Sequence, residues 1–404
     1  MLRRVWLLVA AVALVLGGLA VVSAYAEEWI PPSGAAFNRP RGGVKARTKL
    51  VRRVITAINH APEGSVIRFA MYSFDRRDVA NALLRAHKRG VNVQLIVNDN
   101  WTSYQTVRLR RVLGTKPRKK SFYVICRGSC RGGKGNLHMK VYSFSRTGGA
   151  TKVLMTGSGN LTNRAVSLQW NDQVTLLNAP GLFDVYVKVF EQLKLDRRVS
   201  PRRVDYAGTD TVDALFYRTV AEPTSTVTSA TQPRRRPKPA DDPVLKRLKA
   251  VDCKAAPGYG NGGRTRIRIM MYAWMRDRSY LADRVAYLKR QGCDIRVITS
   301  VSSRRVVRII KAAGIPTRSA DYDLVENAEG ELVVNFYSHL KAMTLDGTYR
   351  GKSVRTIWTG SENWSGVSFL NDELTLQLSG DTVHAKYVKH FNLLWNRHTH
   401  PHRG

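Results

Sequence analysis

The 404-residue chain repeats itself at an offset of about two hundred residues, and this repeat constrains the fold more than any other feature. Val66-Ile67-Arg68-Phe69-Ala70-Met71-Tyr72 is answered by Arg266-Ile267-Arg268-Ile269-Met270-Met271-Tyr272. Both are short runs rich in β-forming residues, which predict buried strands. A helical pattern follows each. Val79, Leu83, Leu84 and Ala86 precede Lys88-Arg89-Gly90, and Leu281, Val285 and Leu288 precede Lys289-Arg290-Gln291-Gly292. Basic residues and then glycine stop a helix, because they satisfy its last carbonyls. Each helix leads into a further apolar strand, Val91 to Val97 and Ile295 to Ile298. Two β–α–β units therefore open two equivalent lobes, expected over residues 45–205 and 242–398, in an α/β fold with sheets covered by helices.

Between the lobes, residues 221–241 are rich in Thr, Ser and Pro, carry Arg234-Arg235-Arg236-Pro237-Lys238, and lack apolar periodicity. They predict an exposed, flexible linker. Asp241-Asp242-Pro243 then marks a helix start, with Val244, Leu245, Leu248 and Val251 as its apolar stripe. At the other end of the chain, Arg3 and Arg4 precede the apolar run Val5 to Val22, and Ala24-Tyr25-Ala26 has the small-x-small pattern of a cleavage site. A run of this length could just span a bilayer, but the cleavage pattern favours a signal peptide over 1–26, removed after Ala26, and so a secreted protein.

An exported chain with four cysteines predicts two disulfides. Three connectivities are open. Cys126 and Cys130 sit in a short glycine-containing turn that could close on itself, which leaves Cys253 to pair with Cys293. Zinc is the rival, but the pairs are far apart and lack Cys-x2-Cys spacing. The balance of 66 Lys and Arg against 30 Asp and Glu, a net +36, implies a field that attracts anions such as nucleic acid, anionic lipid headgroups or acidic polymers.

The repeat extends into polar residues. His138-Met139-Lys140 is followed by Gly157-Ser158-Gly159-Asn160, and His339-Leu340-Lys341 by Gly360-Ser361-Glu362-Asn363. In a β context, alternation puts each His and Lys on one face and the apolar residue between them on the other. A lone His-x-Lys would be uninformative. Two copies at matched offsets, each trailed by Gly-Ser-x-Asn, mark an active site.

These residues resemble the paired His-x-Lys-x4-Asp motif, with its trailing Gly-Ser-x-Asn, of the phospholipase D superfamily. The second copy is complete: His339, Lys341, Asp346, Gly360, Ser361 and Asn363. In the first, Ser145 stands at the Asp position. The resemblance implies two pseudo-symmetric lobes, each a mixed β-sheet flanked by helices. It also implies that His138 is the nucleophile and His339 the general acid and base, although the residues alone leave those roles interchangeable. Family members often carry Glu two residues after an Asn downstream of the motif, which points to Glu373 in Asn371-Asp372-Glu373; the echoing Asn171-Asp172-Gln173 has Gln173 there, with Asp172 beside it.

The chemistry accounts for these residue types. A phosphodiester is anionic, so two lysines (Lys140, Lys341) and two Ser/Asn pairs (Ser158 and Asn160, Ser361 and Asn363) can bind its oxygens and stabilise developing charge. One imidazole can attack phosphorus, and the other can protonate the leaving alcohol and then activate water. The scheme requires no cofactor, and no residue cluster has metal-ligand spacing. The leading expectation is a phospholipase D type hydrolase that releases phosphatidic acid at a phospholipid surface and works as a monomer, since both half-sites are in one chain. A secreted nuclease is the main alternative, which the basicity suits. A non-catalytic anion-binding protein is the third. Trp101, Trp170, Trp274, Trp358 and Trp364 lie near the motifs, where core packing is the commoner role for each.

Overall fold

The structure, a computed structural model, describes residues 28–208, 212–217, 239–320, 324–326, 332–334 and 336–402. The expected signal peptide, 1–26, and residues 221–238 of the expected linker lie outside the described residues.

Each lobe is built on one mixed sheet, and the two sheets share one strand order. In the first, seven strands run Gly34–Phe37, Asp172–Leu176, Ala150–Gly157, Lys140–Thr147, Val66–Met71, Asn92–Asn98 and Phe122–Cys126. In the second, Val212–Tyr217, Glu373–Ser379, Lys352–Gly360, Lys341–Tyr349, Arg266–Trp274, Asp294–Ser302 and Thr317–Ser319 follow the same sequence of neighbours. The β–α–β units supply the parallel pairs, Val66–Met71 with Asn92–Asn98 and Arg266–Trp274 with Asp294–Ser302. The motif strands pair antiparallel to them. Val212–Tyr217 and Val204–Ala207, which follow the first lobe in the chain, extend the sheet of the second.

Strand alternation divides the apolar residues between three cores. Along Val66–Met71, Ile67, Phe69 and Met71 face outward, where Val54, Ala57 and Leu83 from the helices Lys49–Asn59 and Arg77–Lys88 cover them. Ala70 faces inward, in a core that both lobes share. Leu182, Tyr186 and Phe190 of helix Pro180–Leu193 and Tyr387, Phe391 and Leu394 of helix Asp381–Arg397 fill that core between the sheets. Ile267, Ile269 and Met271 mirror the outward set, under helices Pro243–Lys249 and Tyr280–Arg290. Phe391 touches the core common to both lobes, and a Phe→Ala change at such a site costs about 3–5 kcal/mol.

The helix expected after Asp242 forms over Pro243–Lys249, with proline in its first turn, and the Asp242 carboxylate accepts from Val244 N at 2.8 Å. Disulfides join Cys126 to Cys130 and Cys253 to Cys293.

Candidate active site

Lys140 and Lys341 are the first residues of their strands, and each histidine stands two positions ahead. Met139 and Leu340 are fully buried in the shared core, so each His and Lys turns away from it. The backbone before each strand is held by the opposite lobe. His138 N donates to Asp372 O at 3.0 Å, and His339 N donates to Trp170 O at 2.9 Å.

The side chains cross in the same way. His138 Nδ1 lies 2.9 and 3.0 Å from the two carboxylate oxygens of Glu373, in the second lobe. His339 Nδ1 lies 3.1 Å from Asn171 Oδ1, in the first. Asn171 Nδ2 donates to Ala165 O at 3.1 Å, which turns Oδ1 towards the imidazole and makes His339 Nδ1 the donor. His339 also makes a hydrogen bond with the Ser158 backbone, which favours its charged form.

Position 173 is not the counterpart of Glu373; Asn171 is. Ser158 Oγ donates to Asn171 Oδ1 at 3.0 Å, as Ser361 Oγ donates to Glu373 Oε2. Asp172 N donates to Ser158 Oγ at 3.1 Å, as Leu374 N donates to Ser361 Oγ at 3.0 Å. The connection runs 13 residues from Ser158 to Asn171 and 12 from Ser361 to Glu373, whereas the echo of Asn-Asp-Gln with Asn-Asp-Glu would need 15 from Ser158 to Gln173, and so misaligns the lobes by two residues. Asp172 does not reach His339. Its carboxylate accepts from Ser158 N at 3.0 Å, from Tyr387 Oη at 2.5 Å and from Thr359 Oγ1, and so ties the two lobes together beneath the site.

The motif Asp lies five residues along its strand from Lys341, about 17 Å away. Asp346 accepts from Gly260 N at 3.0 Å and pairs with Arg355 at 3.3 Å. Its counterpart Ser145 accepts from Val66 N at 2.8 Å. Both fasten the far ends of the strands. The Gly-Ser-x-Asn asparagines, Asn160 and Asn363, each hold a buried Oδ1 with no hydrogen-bond partner. Glu362 packs against a buried cation: Arg278 bonds it at 2.8 Å and Asp242 at 2.7 and 3.0 Å.

Two tyrosines that the motif reading passed over complete the site. The Tyr72 ring lies 5.0 Å from the His138 ring, with Lys140 Nζ 5.1 Å above it. Tyr272 stands 4.6 Å from His339 and 4.7 Å from Lys341 Nζ. Their signal was present, since both end the duplicated strand runs. Trp170, Trp274, Trp358 and Trp364 are core residues, whereas Trp101 is exposed.

The electrostatics follow from burying four basic groups around one contacting carboxylate. Burial brings Lys140 down to about 7, against the pull of Glu373. Lys341 falls well below its ordinary value through burial and the nearby Lys140. Burial, Lys341 and Lys140 hold His339 well below the usual imidazole range. Burial also lowers His138, but there Glu373 opposes it. Burial pushes Glu373 upward, yet the charge and hydrogen bond of His138, with Lys140, outweigh it and keep the carboxyl below its ordinary value. Such a cluster is arranged for an anion, which would restore charge to the lysines. Among the described residues, no three His, Cys, Asp or Glu are grouped as they would be around a metal ion.

Two sheets of one topology, closed over a crossed pair of His-x-Lys motifs, define a phosphodiester-acting class of α/β protein. The family described as "Cardiolipin synthase, PLD-like domain" matches the chain over residues 54–194 and 261–395, and the chain belongs to this phospholipase D-like family. Among solved structures, phosphatidylserine synthase from Haemophilus influenzae Rd KW20 is similar at a TM-score of 0.55 and 11% identity, over 93% of this chain and 89% of that one. Polyphosphate kinase from Porphyromonas gingivalis aligns at 0.51 and 12% identity over 92% of this chain, which spans 52% of the kinase. The phospholipase D family member Nuc from Salmonella typhimurium aligns at 0.28 and 22% identity, over 39% of this chain and 91% of that one. No curated protein matches the sequence.

Proposed function

We propose that the chain is a secreted phospholipid phosphodiesterase that exchanges the headgroup alcohol for water and releases phosphatidic acid. The observation that carries this reading is the crossed pairing, His138 with Glu373 and His339 with Asn171, around two buried lysines. His138 Nε2 attacks phosphorus and forms an N–P bond as the P–O bond to the headgroup breaks. Glu373 stabilises the positive charge that the ring then carries. His339, whose charged form the bound phosphodiester anion favours against burial and the lysines, gives its Nε2 proton to the departing alkoxide. It next takes a proton from water, whose oxygen attacks phosphorus and expels His138. Lys140, Lys341 and the side-chain amides of Asn160 and Asn363 hold the non-bridging oxygens, while Ser158 and Ser361, whose protons go to Asn171 and Glu373, position those two partners of the histidines.

Phospholipid is favoured as substrate because the matching family takes its description from a lipid phosphodiester synthase. Export is supported by the apolar run and small-x-small pattern within residues 1–26, and a single-chain enzyme by the presence of both half-sites in one chain. The net charge of +36 favours one second reading, a nuclease with the same two steps.

The test is a substrate panel of phosphatidylcholine, phosphatidylglycerol, single-stranded DNA, RNA and a chromogenic phosphodiester, run beside His138→Ala. Phosphatidic acid from a phospholipid, lost in the variant, is the expected result. Cleavage of DNA or RNA without phosphatidic acid would replace this reading by the second, and activity retained in His138→Ala would end both.

A further inference from the structure

The second lobe carries a cleft of about 290 Å³ beside helix Pro243–Lys249. Its other wall includes Arg203 and Asp205, from the segment that follows the first lobe in the chain and extends the second sheet. The floor is made by Trp358 and Tyr349, two buried rings of the outer core that meet at 5.1 Å with their planes 70° apart. Trp358 Nε1 donates to Gln377 Oε1 at 2.8 Å, which turns the Gln377 amide nitrogen away from the indole. Beneath helix Lys49–Asn59 of the first lobe, the cavity lined by Leu50, Val51 and Val54 holds only about 20 Å³. The larger space therefore belongs to one lobe and not to the repeated unit.

Four cations line this cleft: Arg203, Lys246, Arg247 and Arg350. Asp205 is the one acid among its described lining residues, and it pairs with Arg203 at 2.8 Å. Two of the guanidiniums lie over the floor. Arg247 Cζ is 5.3 Å from the centre of the Trp358 ring, and Arg350 Cζ is 5.3 Å from that of Tyr349. Stacking holds a guanidinium in place, and its planar fork of N–H groups is the shape that oxyanions accept. Arg350 also occupies a backbone position that disfavours it. With Gly351 it forms the two-residue turn between the paired Tyr349 and Lys352, and its φ of +51° is in the region where asparagine or glycine is ordinary. Its N–H donates to Ala250 O at 2.9 Å, which fastens the turn to the end of helix Pro243–Lys249. An arginine kept in that conformation points to a task for its side chain. None of the motif histidines, lysines, serines or asparagines lines the cleft.

We propose that this cleft is a second anion site, separate from the reaction centre, for a multiply charged phosphate: the phosphate monoester of a lipid, or a free phosphate such as pyrophosphate. The inference goes beyond the proposed reaction and does not depend on it. Guanidinium forks match phosphate oxygens in pairs, and Lys246 adds a point charge. A diester brings one charge to these cations, whereas a monoester brings about two. The volume admits a headgroup or a small phosphate. A nucleic-acid strand would need a groove that follows several phosphates.

The experiment titrates inorganic pyrophosphate calorimetrically, at roughly 0.15 M ionic strength, into three proteins whose folding is checked by circular dichroism melting. These are the wild type, Arg247→Gln/Arg350→Gln, and the control Arg304→Gln/Arg308→Gln, which removes the same charge from exposed positions of helix Arg304–Ala312. One class of site, present in the wild type and the control, should be weakened at least about tenfold in the cleft variant. Sedimentation with phosphatidylcholine vesicles that carry phosphatidic acid tells the two sources apart. Loss of vesicle binding in the cleft variant assigns the cleft to a lipid monoester. Loss of pyrophosphate binding with vesicle binding unchanged assigns it to a free phosphate. Hydrolysis of a water-soluble chromogenic phosphodiester should stay within about twofold of wild type. If the arginine pair does not fold, Lys246→Glu, at an exposed position, decides instead, and the same loss of about tenfold is expected. A cleft variant that matches wild type in both arms, equal losses in the cleft variant and the control, or hydrolysis that falls in step with pyrophosphate binding would overturn the proposal. If the wild type hydrolyses no phospholipid while the cleft variant alone loses pyrophosphate, the proposed function fails and the second site stands.

Discussion

The half-site around His138 and the half-site around His339 have the same strands, the same lysine, the same serine and the same tyrosine, yet one closes on a carboxylate and the other on an amide. Glu373 gives His138 a charged partner, and Asn171 gives His339 a neutral one. The scaffold is thus nearly two-fold while the charge distribution is not. The difference teaches how one duplicated unit divides two roles. A ring that bonds phosphorus becomes cationic and gains from a carboxylate throughout the intermediate. A ring that gives a proton and takes one back needs its tautomer fixed, which Asn171 Oδ1 does without holding the proton on.

The largest effect expected from breaking this asymmetry is on Glu373→Gln. Shape is kept and charge is lost, so kcat should fall by about 10³–10⁴, as when the carboxylate that orients a catalytic histidine is neutralised. Asn171→Ala removes only orientation and should cost about 10–10² in single-turnover rate. Equal losses in the two variants would mean that the half-sites are not differentiated.

Asn171→Asp would make the half-sites alike. A carboxylate beside His339 favours its charged form and moves its pKa upward from its depressed position. For a substrate with an alkyl leaving group, the alkaline limb of kcat/KM should therefore shift to higher pH. A p-nitrophenyl leaving group needs no proton, and its profile on that limb should stay in place. The same limb unmoved for both substrates would remove His339 from the proton transfer.

The buried lysines sharpen the comparison from the ligand side. Lys140 titrates at about 7 in the folded protein against 10.5 ordinarily. The sign follows directly. Between those values the unfolded chain holds this proton and the folded site does not, so Lys140 weakens folding below that window and the penalty lifts as pH rises through it. An anion that restores the charge must draw protons from solution. Calorimetry of vanadate binding at about pH 8.5, in two buffers of different ionisation enthalpy, should reveal net proton uptake of roughly one or more. No uptake would mean that the lysines are charged in the free site.

The smallest effect belongs to Ser145→Asp, which would restore the motif residue missing from the first copy. Ser145 and Asp346 fasten strand ends about 17 Å from the lysines, so kcat/KM should change by less than about twofold.

Much of this architecture was legible because local signals and the repeat agreed. The β–α–β units and the helix start at Asp242 follow from periodicity that tertiary packing had no reason to override, whereas the full strand order of each lobe came only with the structure. The partners of the histidines were less accessible. Asn171 hides behind a false echo, since matching Asn-Asp-Gln to Asn-Asp-Glu is out of register by two residues and it is Asn171, not Gln173, that stands level with Glu373. Nor does periodicity say that each histidine is oriented from the other lobe. That crossing is a property of how two sheets face across Tyr186, Phe190, Tyr387 and Phe391, which are residues with ordinary helical spacing. Tyr72 and Tyr272 were visible as part of the repeat but carry no motif label. The exposure of Trp101 depends on the loop around it, which no pattern in its neighbours encodes.

The claim at the centre of this account is that His138 bonds phosphorus while His339 moves protons. It is tested most directly by mixing His339→Ala with a phosphatidylglycerol substrate, quenching in alkali, and mapping phosphorus-bearing peptides by mass spectrometry. The expected result is an acid-labile adduct on the peptide that contains His138, formed slowly and turned over more slowly still, and absent from His138→Ala. An adduct on the His339 peptide in His138→Ala, with none on His138 in any variant, would contradict the assignment.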